Sequence, residues 1–227
     1  MACRFVDSTA GRPELVVVLC HGYGAAGDDL APLAGEIVRQ FPLRGVRFVF
    51  PEAPLLLGRM GLYESRAWWE LDVERLIQAA ESGRFCEVRR GNPTGLAEAG
   101  ELLRDVVTAL GTEVELPLDR FILGGFSQGA MLATDVSLRL PEPPGGLAIF
   151  SGTLVCEDLW ADLARARGPL RVLQSHGQRD PILPFEGAVA LRDLLTAAGL
   201  DVDFIPFDGV HTISAAAVQR FATMIET

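Results

Sequence analysis

Short runs of consecutive apolar residues, separated by longer segments with helical spacing, constrain the fold of this 227-residue chain most strongly. Most runs are apolar at every position rather than at alternate ones, which is typical of parallel strands covered on both faces. The pattern predicts strands at residues 15–20 (LVVVLC), 46–50, 120–124, 147–151, 170–175 and 202–207.

The segments between these runs carry helical patterns. In the last of them, apolar residues recur on one stripe from Ile213 through Phe221 to Ile225. The alternation predicts an α/β fold, with a mostly parallel central sheet, helices on both faces and right-handed crossovers. No internal repeat or long Pro/Gly/Ser linker divides the chain, so we expect one domain over residues 1–227. The predicted helices span residues 28–40, 73–83, 94–110, 127–140, 157–167, 186–198 and 212–225.

Residues 51–93 fit this rhythm least well. They hold PEAPLLLGRMGLYESRAWWELD, a short helical pattern and RRGNPTG before the next long helix. So long an interruption between a strand and its crossover helix usually carries function. We therefore expect this segment to form a wall of an active site or a small lid.

Charge and hydropathy exclude several classes of function. The net charge is −10, and all twenty basic residues are arginine, whereas nucleic-acid binding needs a basic face. No apolar run approaches the roughly 20 residues of a membrane span. Arg4 and Asp7 stand where a signal peptide would continue its apolar segment. We expect a cytoplasmic protein without a nucleic-acid partner or a membrane span.

The four cysteines lie far apart and form no C-x-x-C pair. This spacing predicts reduced thiols rather than a zinc site or a disulfide framework. We expect no metal and no cofactor.

The sequence Gly125-Phe126-Ser127-Gln128-Gly129 lies between a predicted strand and a predicted helix. G-x-S-x-G at such a junction is typical of a nucleophile elbow, in which a strained turn exposes the serine at the carboxyl edge of a sheet. The flanking glycines are needed because the strand and the helix leave no room for side chains there. Ser127 is therefore the candidate nucleophile.

A serine nucleophile requires a general base, and the chain has three histidines. In this architecture the acid and then the histidine follow the serine along the chain. His211, in FDGVHT between the last strand and the last helix, satisfies that order and is the candidate base. We expect His176 to brace a loop by hydrogen bonds instead.

The acid is expected in a loop after a strand. Asp180, in SHGQRDPILP, follows strand 170–175 directly and would hold the tautomer of the imidazole without itself taking the proton. Asp201 and Asp203 stand at the wrong end of their strand. Asp208, three residues before His211, remains the alternative acid.

An oxyanion intermediate needs two hydrogen-bond donors. The elbow provides the backbone N–H of Gln128, and the glycine-rich turn in LCHGYGAAGDDL provides the N–H of Tyr23. The alternative is that these glycines only let the chain enter a helix.

The motifs LCHGYGAAGDDL, GGFSQGA, SHGQRDPILP and GVHT occur in this order over nearly the whole chain, which resembles the carboxylesterase/acyl-protein thioesterase (phospholipase/carboxylesterase) family of α/β-hydrolases. The resemblance implies an α/β-hydrolase fold without a large cap domain. It implies a triad of Ser127, Asp180 and His211, with Tyr23 and Gln128 framing the oxyanion hole. It also places RAWWELD, with Trp68 and the adjacent Trp69, near the acyl pocket.

These observations predict a serine hydrolase that cleaves carboxylic esters with short to medium acyl or aryl groups through an acyl-enzyme. Its partner would be a small-molecule ester or thioester. One alternative is an acyl-protein thioesterase or lysophospholipase for longer chains, and another is a non-catalytic binding protein that kept the fold. Apolar residues in 51–72 could also support a homodimer. The predicted pocket residues are Leu55, Met60, Trp68, Trp69 and Ile182.

Overall fold

The strands of the chain build one large sheet and one small hairpin. The computed structural model describes residues 1–60 and 63–226, and across them the large sheet has seven strands in the order β1-β3-β2-β6-β7-β8-β9. Strand β1 is antiparallel to β3, and the other neighbours are parallel. Strands β4 and β5 pair separately as an antiparallel hairpin. The strands are β1 (Cys3–Asp7), β2 (Leu15–Cys20), β3 (Val46–Pro51), β4 (Leu55–Met60), β5 (Tyr63–Ala67), β6 (Phe121–Phe126), β7 (Gly146–Phe150), β8 (Arg171–Gly177) and β9 (Asp201–Phe207).

Helices connect the parallel strands and cover the sheet. They are α1 (Ala31–Gln40), α2 (Val73–Glu81), α3 (Phe85–Arg90), α4 (Leu96–Val114), α5 (Gln128–Arg139), α6 (Glu157–Arg167), α7 (Phe185–Ala197) and α8 (Ala215–Glu226). A short 3₁₀ helix at Leu118–Arg120 leads into β6.

The sheet separates two hydrophobic cores. On β2, Val16 and Val18 belong to one core, whereas Val17 and Leu19 belong to the other. Successive side chains of a strand point to opposite faces, so a run that is apolar at every position must be covered twice. Helices α4 to α7 pack on the first face, and α1 and α8 pack on the second.

The six predicted strands and seven predicted helices are all present, with ends shifted by up to four residues. The predicted α/β fold is confirmed. The sequence did not predict β1, the hairpin strands β4 and β5, α3 or the 3₁₀ helix. Strand β1 carries charges at Arg4 and Asp7 and is largely exposed at the edge of the sheet, so it lacks the apolar run that marks the buried strands.

Among residues 1–60 and 63–226, no helix is long and apolar enough to cross a bilayer. The four cysteines are free thiols, of which Cys20 and Cys156 are buried.

Candidate active site

Ser127 occupies the sharp turn between β6 and α5. Its backbone has φ 54° and ψ −118°, a conformation that L-residues rarely adopt and that costs roughly 1–3 kcal/mol. The turn is held by hydrogen bonds from Ser127 N–H to Phe150 O (2.9 Å) and from Ala130 N–H to Ser127 O (3.0 Å). The side chain is half-buried at the carboxyl edge of the sheet, directly before the N-terminus of α5.

The two glycines of G-x-S-x-G are required by close backbone contacts. A Cβ at Gly129 would lie 2.1 Å from Cys20 O, and one at Gly125 would lie 2.5 Å from the same oxygen. Both contacts are with main-chain atoms of β2, which cannot move aside as a flexible side chain could. The glycines thus allow β6 and α5 to close against β2 around the turn.

We predict that Gly129→Ala destabilises the protein by roughly 3 kcal/mol or more, because the added methyl group overlaps the backbone of β2. Gly35→Ala is the matched control. It lies in α1, and a Cβ there would meet no atom within 4 Å, so it should raise stability by about 0.5–1 kcal/mol. Urea unfolding measures both changes. An equal, small effect of the two substitutions would contradict the packing argument.

Asp180 and His211 lie in the loops after β8 and β9 and are hydrogen-bonded to each other. The distance from His211 Nδ1 to Asp180 Oδ2 is 2.6 Å. Since a carboxylate oxygen only accepts, Nδ1 carries the proton and Nε2 is free to accept one. The imidazole lies against the ring of Phe126, the residue before Ser127, with 4.7 Å between ring centroids.

Asp180 accepts three hydrogen bonds, one of them from His211, and lies beside a second imidazole. Its Oδ1 accepts from the backbone N–H groups of Ile182 and Leu183, both at 2.9 Å. Its Oδ2 also lies 3.3 Å from His176 Nε2, and that nitrogen donates to Leu183 O. Burial would raise the pKa of Asp180, but hydrogen bonds from His176 and His211 outweigh it and hold the pKa far below its usual range. The carboxylate of Asp180 is therefore ionised in the folded protein at neutral pH.

The structure separates the alternative acids from His211. Asp208 forms an exposed ion pair with Arg179 at 2.9 Å. Asp203 pairs with Arg220 on α8, and Asp201 is exposed at the start of β9. Asp180 is thus the predicted acid that contacts the predicted base.

The glycine-rich loop, residues 21–25, lies against the elbow. A Cβ at Gly22 would lie 3.5 Å from Ser127 Cβ, so Gly22 is almost in contact with the candidate nucleophile. Tyr23 is the next residue along the loop. His21 is buried, and its Nδ1 donates to Gly22 O while its Nε2 accepts from Ala53 N–H (3.2 Å). Burial lowers the pKa of His21. The imidazole is therefore neutral, as it must be for Nε2 to accept the hydrogen bond from Ala53 N–H. The loop therefore does more than lead the chain into α1, because these hydrogen bonds fix its conformation beside Ser127.

A second element beside the elbow is the tryptophan segment, residues 65–69 at the end of β5. Trp68 is buried, and its indole N–H donates to His21 O (2.9 Å). The side chain of Gln128 accepts from Trp68 N–H (3.0 Å) and donates to Trp69 O (2.8 Å). From the sequence, only the backbone N–H of Gln128 was predicted to have a role, and this role of its side chain was missed. A glutamine at the buried N-terminus of a helix was the available signal.

A cavity of about 230 Å³ lies beside the elbow, behind the tryptophan segment. It is bounded by Trp69, by Met131 one turn after Ser127, and by Leu183 three residues after Asp180. Helices α2 and α3 close its outer side. Its other apolar lining residues are Leu71, Leu76, Ala79, Val88, Pro93 and Val155, and the exposed carboxylates of Glu70, Asp72 and Glu87 also border it.

The five predicted pocket residues do not all meet there. Trp69 lines this cavity, and together with Leu55 and Trp68 it also lines a neighbouring open groove. Ile182 packs against the core and is in the lining of neither. The side chain of Met60 lies outside the described part of the chain. Residues 51–93 supply much of the lining of both spaces, including Leu71, Leu76 and Val88.

The mostly parallel sheet, the strained serine at its carboxyl edge and the acid and histidine in later loops define an α/β-hydrolase. A family model described as Phospholipase/Carboxylesterase matches residues 1–227. The chain belongs to this family and is a hydrolase of the carboxylesterase and thioesterase type.

Individual relatives agree with this assignment. Acyl-protein thioesterase 1 of Eremothecium gossypii is 30% identical over 194 residues, which cover 85% of this chain and 77% of that protein. The enzyme of the same name from Mycosarcoma maydis is 26% identical over 233 residues, covering 95% and 91%.

Solved structures share the architecture. The crystal structure of esterase PE8 superimposes with a TM-score of 0.80, over 98% of this chain and 96% of that one, and the two sequences are 28% identical. Arabidopsis thaliana SOBER1, at 20% identity and a TM-score of 0.74, covers 93% of this chain and 97% of its own and shows the fold alone.

Proposed function

We propose that this protein is a serine esterase for carboxylic esters with short to medium acyl or aryl groups, acting through an acyl-enzyme on Ser127. The observation that carries the proposal is the hydrogen bond between His211 Nδ1 and Asp180 Oδ2 next to the strained Ser127. It leaves His211 Nε2 as the basic nitrogen of an imidazole that packs against Phe126, the residue before Ser127. The family assignment supports the same chemistry.

In the first half-reaction, Ser127 Oγ bonds to the carbonyl carbon and the π electrons move to the carbonyl oxygen. His211 Nε2 takes the hydroxyl proton, and the ionised Asp180 stabilises the imidazolium. The oxyanion is bound by the backbone N–H groups of Gln128 and Tyr23. Collapse of the intermediate breaks the bond to the alkoxide or thiolate, which leaves with the proton from His211.

In the second half-reaction, water replaces the leaving group. His211 removes a proton from the water as its oxygen bonds to the acyl carbon, and the proton then passes to Ser127 Oγ as the acyl bond breaks. The products are the free acid and the regenerated hydroxyl. Every proton is accounted for by His211, so the reaction needs no other titrating group.

We assign the cavity beside the elbow to the acyl group. Met131 and Leu183 in its lining lie close in sequence to the candidate catalytic residues, and most of its lining side chains are apolar. Its volume of about 230 Å³ matches a chain of several carbons. This supports the short-to-medium ester substrate over the alternative of an acyl-protein thioesterase or lysophospholipase for longer chains.

The test is a series of p-nitrophenyl esters and matched acyl thioesters with chains of two to sixteen carbons. We expect kcat/KM to rise from acetyl to medium-length chains and to fall for palmitoyl. Highest activity on palmitoyl thioesters would favour the thioesterase alternative. Hydrolysis of none of the esters or thioesters would contradict the proposed function.

We predict that Val88→Phe shortens the cavity. The value of kcat/KM for octanoyl esters should then fall by about tenfold, because each methylene group that the cavity excludes loses roughly 0.8 kcal/mol of burial. For acetyl esters, kcat/KM should stay within twofold. Val88 is half-buried on α3 and lines the cavity. Val106→Phe is the control, since Val106 is half-buried on α4 outside the cavity lining. Equal changes for the two chain lengths, or a matching effect of Val106→Phe, would contradict the assignment of the cavity.

A further inference from the structure

The tryptophan segment lies between the two loops that carry the proposed oxyanion donors. The elbow contributes Gln128 and the glycine-rich loop contributes Tyr23. These two residues are more than 100 positions apart in the sequence, and they follow different strands, β6 and β2. The two strands pair in the sheet with Cys20 opposite Gly125, so the sheet sets the distance between the strand ends. Contacts beyond those ends must fix the separation between the two N–H groups.

The side chain of Gln128 connects the elbow to the segment. It is fully buried, and its amide makes two hydrogen bonds to the main chain, from Trp68 N–H at 3.0 Å and to Trp69 O at 2.8 Å. A buried amide with both ends paired to backbone has one orientation, because reversing it would set donor against donor and acceptor against acceptor.

The glycine-rich loop is connected to the other side of the same segment. Trp68 donates its indole N–H to His21 O at 2.9 Å. Gly24 N–H donates to Arg66 O at 2.8 Å, and Arg66 N–H donates to Ala25 O at 3.0 Å. These bonds bracket Tyr23 on both sides, at residues 21 and 24. The loop is therefore tied to the segment at each end of the proposed donor.

We propose that the side chains of Gln128 and Trp68 are positioning residues that set the distance between the two oxyanion donors. The inference rests on the proposed function and deepens it. Oxyanion donors act only within about 2.7–3.1 Å of the developing charge, and small misplacements in a catalytic site reduce rates strongly. A rigid hydrogen-bonded segment shared by both loops supplies this precision.

The primary test is Trp68→Phe, which keeps an aromatic ring but removes the indole N–H that donates to His21 O, together with part of the buried ring system. We expect kcat for p-nitrophenyl butyrate to fall about tenfold with KM within twofold, because the lost interaction affects the transition state and not substrate binding. Trp160→Phe is the matched control. Trp160 is equally buried, and its indole N–H donates to Asp135 at 2.9 Å between α6 and α5, away from the site. Its kcat should stay within twofold despite a comparable loss of thermal stability.

A second variant, Gln128→Met, removes both amide bonds at similar side-chain length and retains the backbone N–H. We expect kcat to fall by about ten- to a hundredfold. For each variant, the inhibition constant of a trifluoromethyl ketone, which forms a tetrahedral oxyanion adduct with the serine, should rise by the same factor as kcat/KM falls.

Three results would overturn the inference. The first is a kcat of Trp68→Phe equal to that of the wild type. The second is a fall in kcat that Trp160→Phe matches, and the third is a fall that leaves the inhibition constant of the trifluoromethyl ketone unchanged. None of them affects the proposed function, which depends on Ser127 and would fail separately if the wild-type enzyme hydrolysed none of the esters.

Discussion

Replacing Ser127 with alanine is expected to lower kcat for p-nitrophenyl butyrate by about 10⁵-fold, leaving only the acceleration due to binding and the oxyanion donors. The substitution removes the Oγ that would bond to the acyl carbon, and His211 then has no hydroxyl to deprotonate. The fold should remain intact, because the turn is held by the backbone bonds from Ser127 N–H to Phe150 O and from Ala130 N–H to Ser127 O.

Ser137→Ala is the control for this prediction. Ser137 is a buried serine of α5 whose hydroxyl has no hydrogen-bond partner among the described residues, so its loss should leave kcat within twofold. Steady-state rates and a circular dichroism melt of both variants make the comparison. Turnover of Ser127→Ala close to that of the wild type would remove the serine from the mechanism.

Asp180→Asn is expected to lower kcat by about 10⁴-fold near neutral pH. The carboxylate accepts at both oxygens, Oδ1 from the Ile182 and Leu183 N–H groups and Oδ2 from His211. An amide has one oxygen, which is best used by the two backbone donors, so its NH₂ must face His211. Nδ1 then has to accept, the proton moves to Nε2, and the histidine cannot take the serine proton.

The control is Asp208→Asn, which neutralises the alternative acid. Asp208 is exposed and paired with Arg179, so its loss should change kcat by less than twofold. The two variants are compared in kcat/KM over a pH series. A large effect of Asp208→Asn together with a small effect of Asp180→Asn would exchange the roles of the two aspartates.

Much of the fold was predictable because its causes are local. A strand covered on both faces must be apolar at consecutive positions, as in LVVVLC, and Val16 and Val17 do contact different cores. The elbow was predictable because a strand and a helix can close around a serine only where its neighbours lack side chains, and the 2.1 Å approach of a Gly129 Cβ to Cys20 O shows this directly. The pairing of Asp180 with His211 followed from the order of the loops along one sheet edge.

The remaining features depend on contacts between residues distant in sequence. The bonds from Gln128 to Trp68 and Trp69 join positions about 60 residues apart, and no periodicity indicates them. The lining of the cavity beside the elbow has a related origin, since part of it comes from α2 and the unpredicted α3. Ile182 was predicted to line the pocket, yet it packs against the core, whereas its neighbour Leu183 lines the cavity.

The measurement that tests the central claim most directly is mapping of a fluorophosphonate adduct by intact-protein and peptide mass spectrometry. A fluorophosphonate bonds to an activated serine with loss of fluoride, and it requires no knowledge of the natural substrate. The account predicts one adduct per chain, on the peptide that contains Ser127, none on Ser127→Ala and much slower labelling of Asp180→Asn. A wild-type protein that stays unlabelled, or that carries the adduct on another residue while Ser127 is free, would contradict the account and favour a non-catalytic binding protein with this fold.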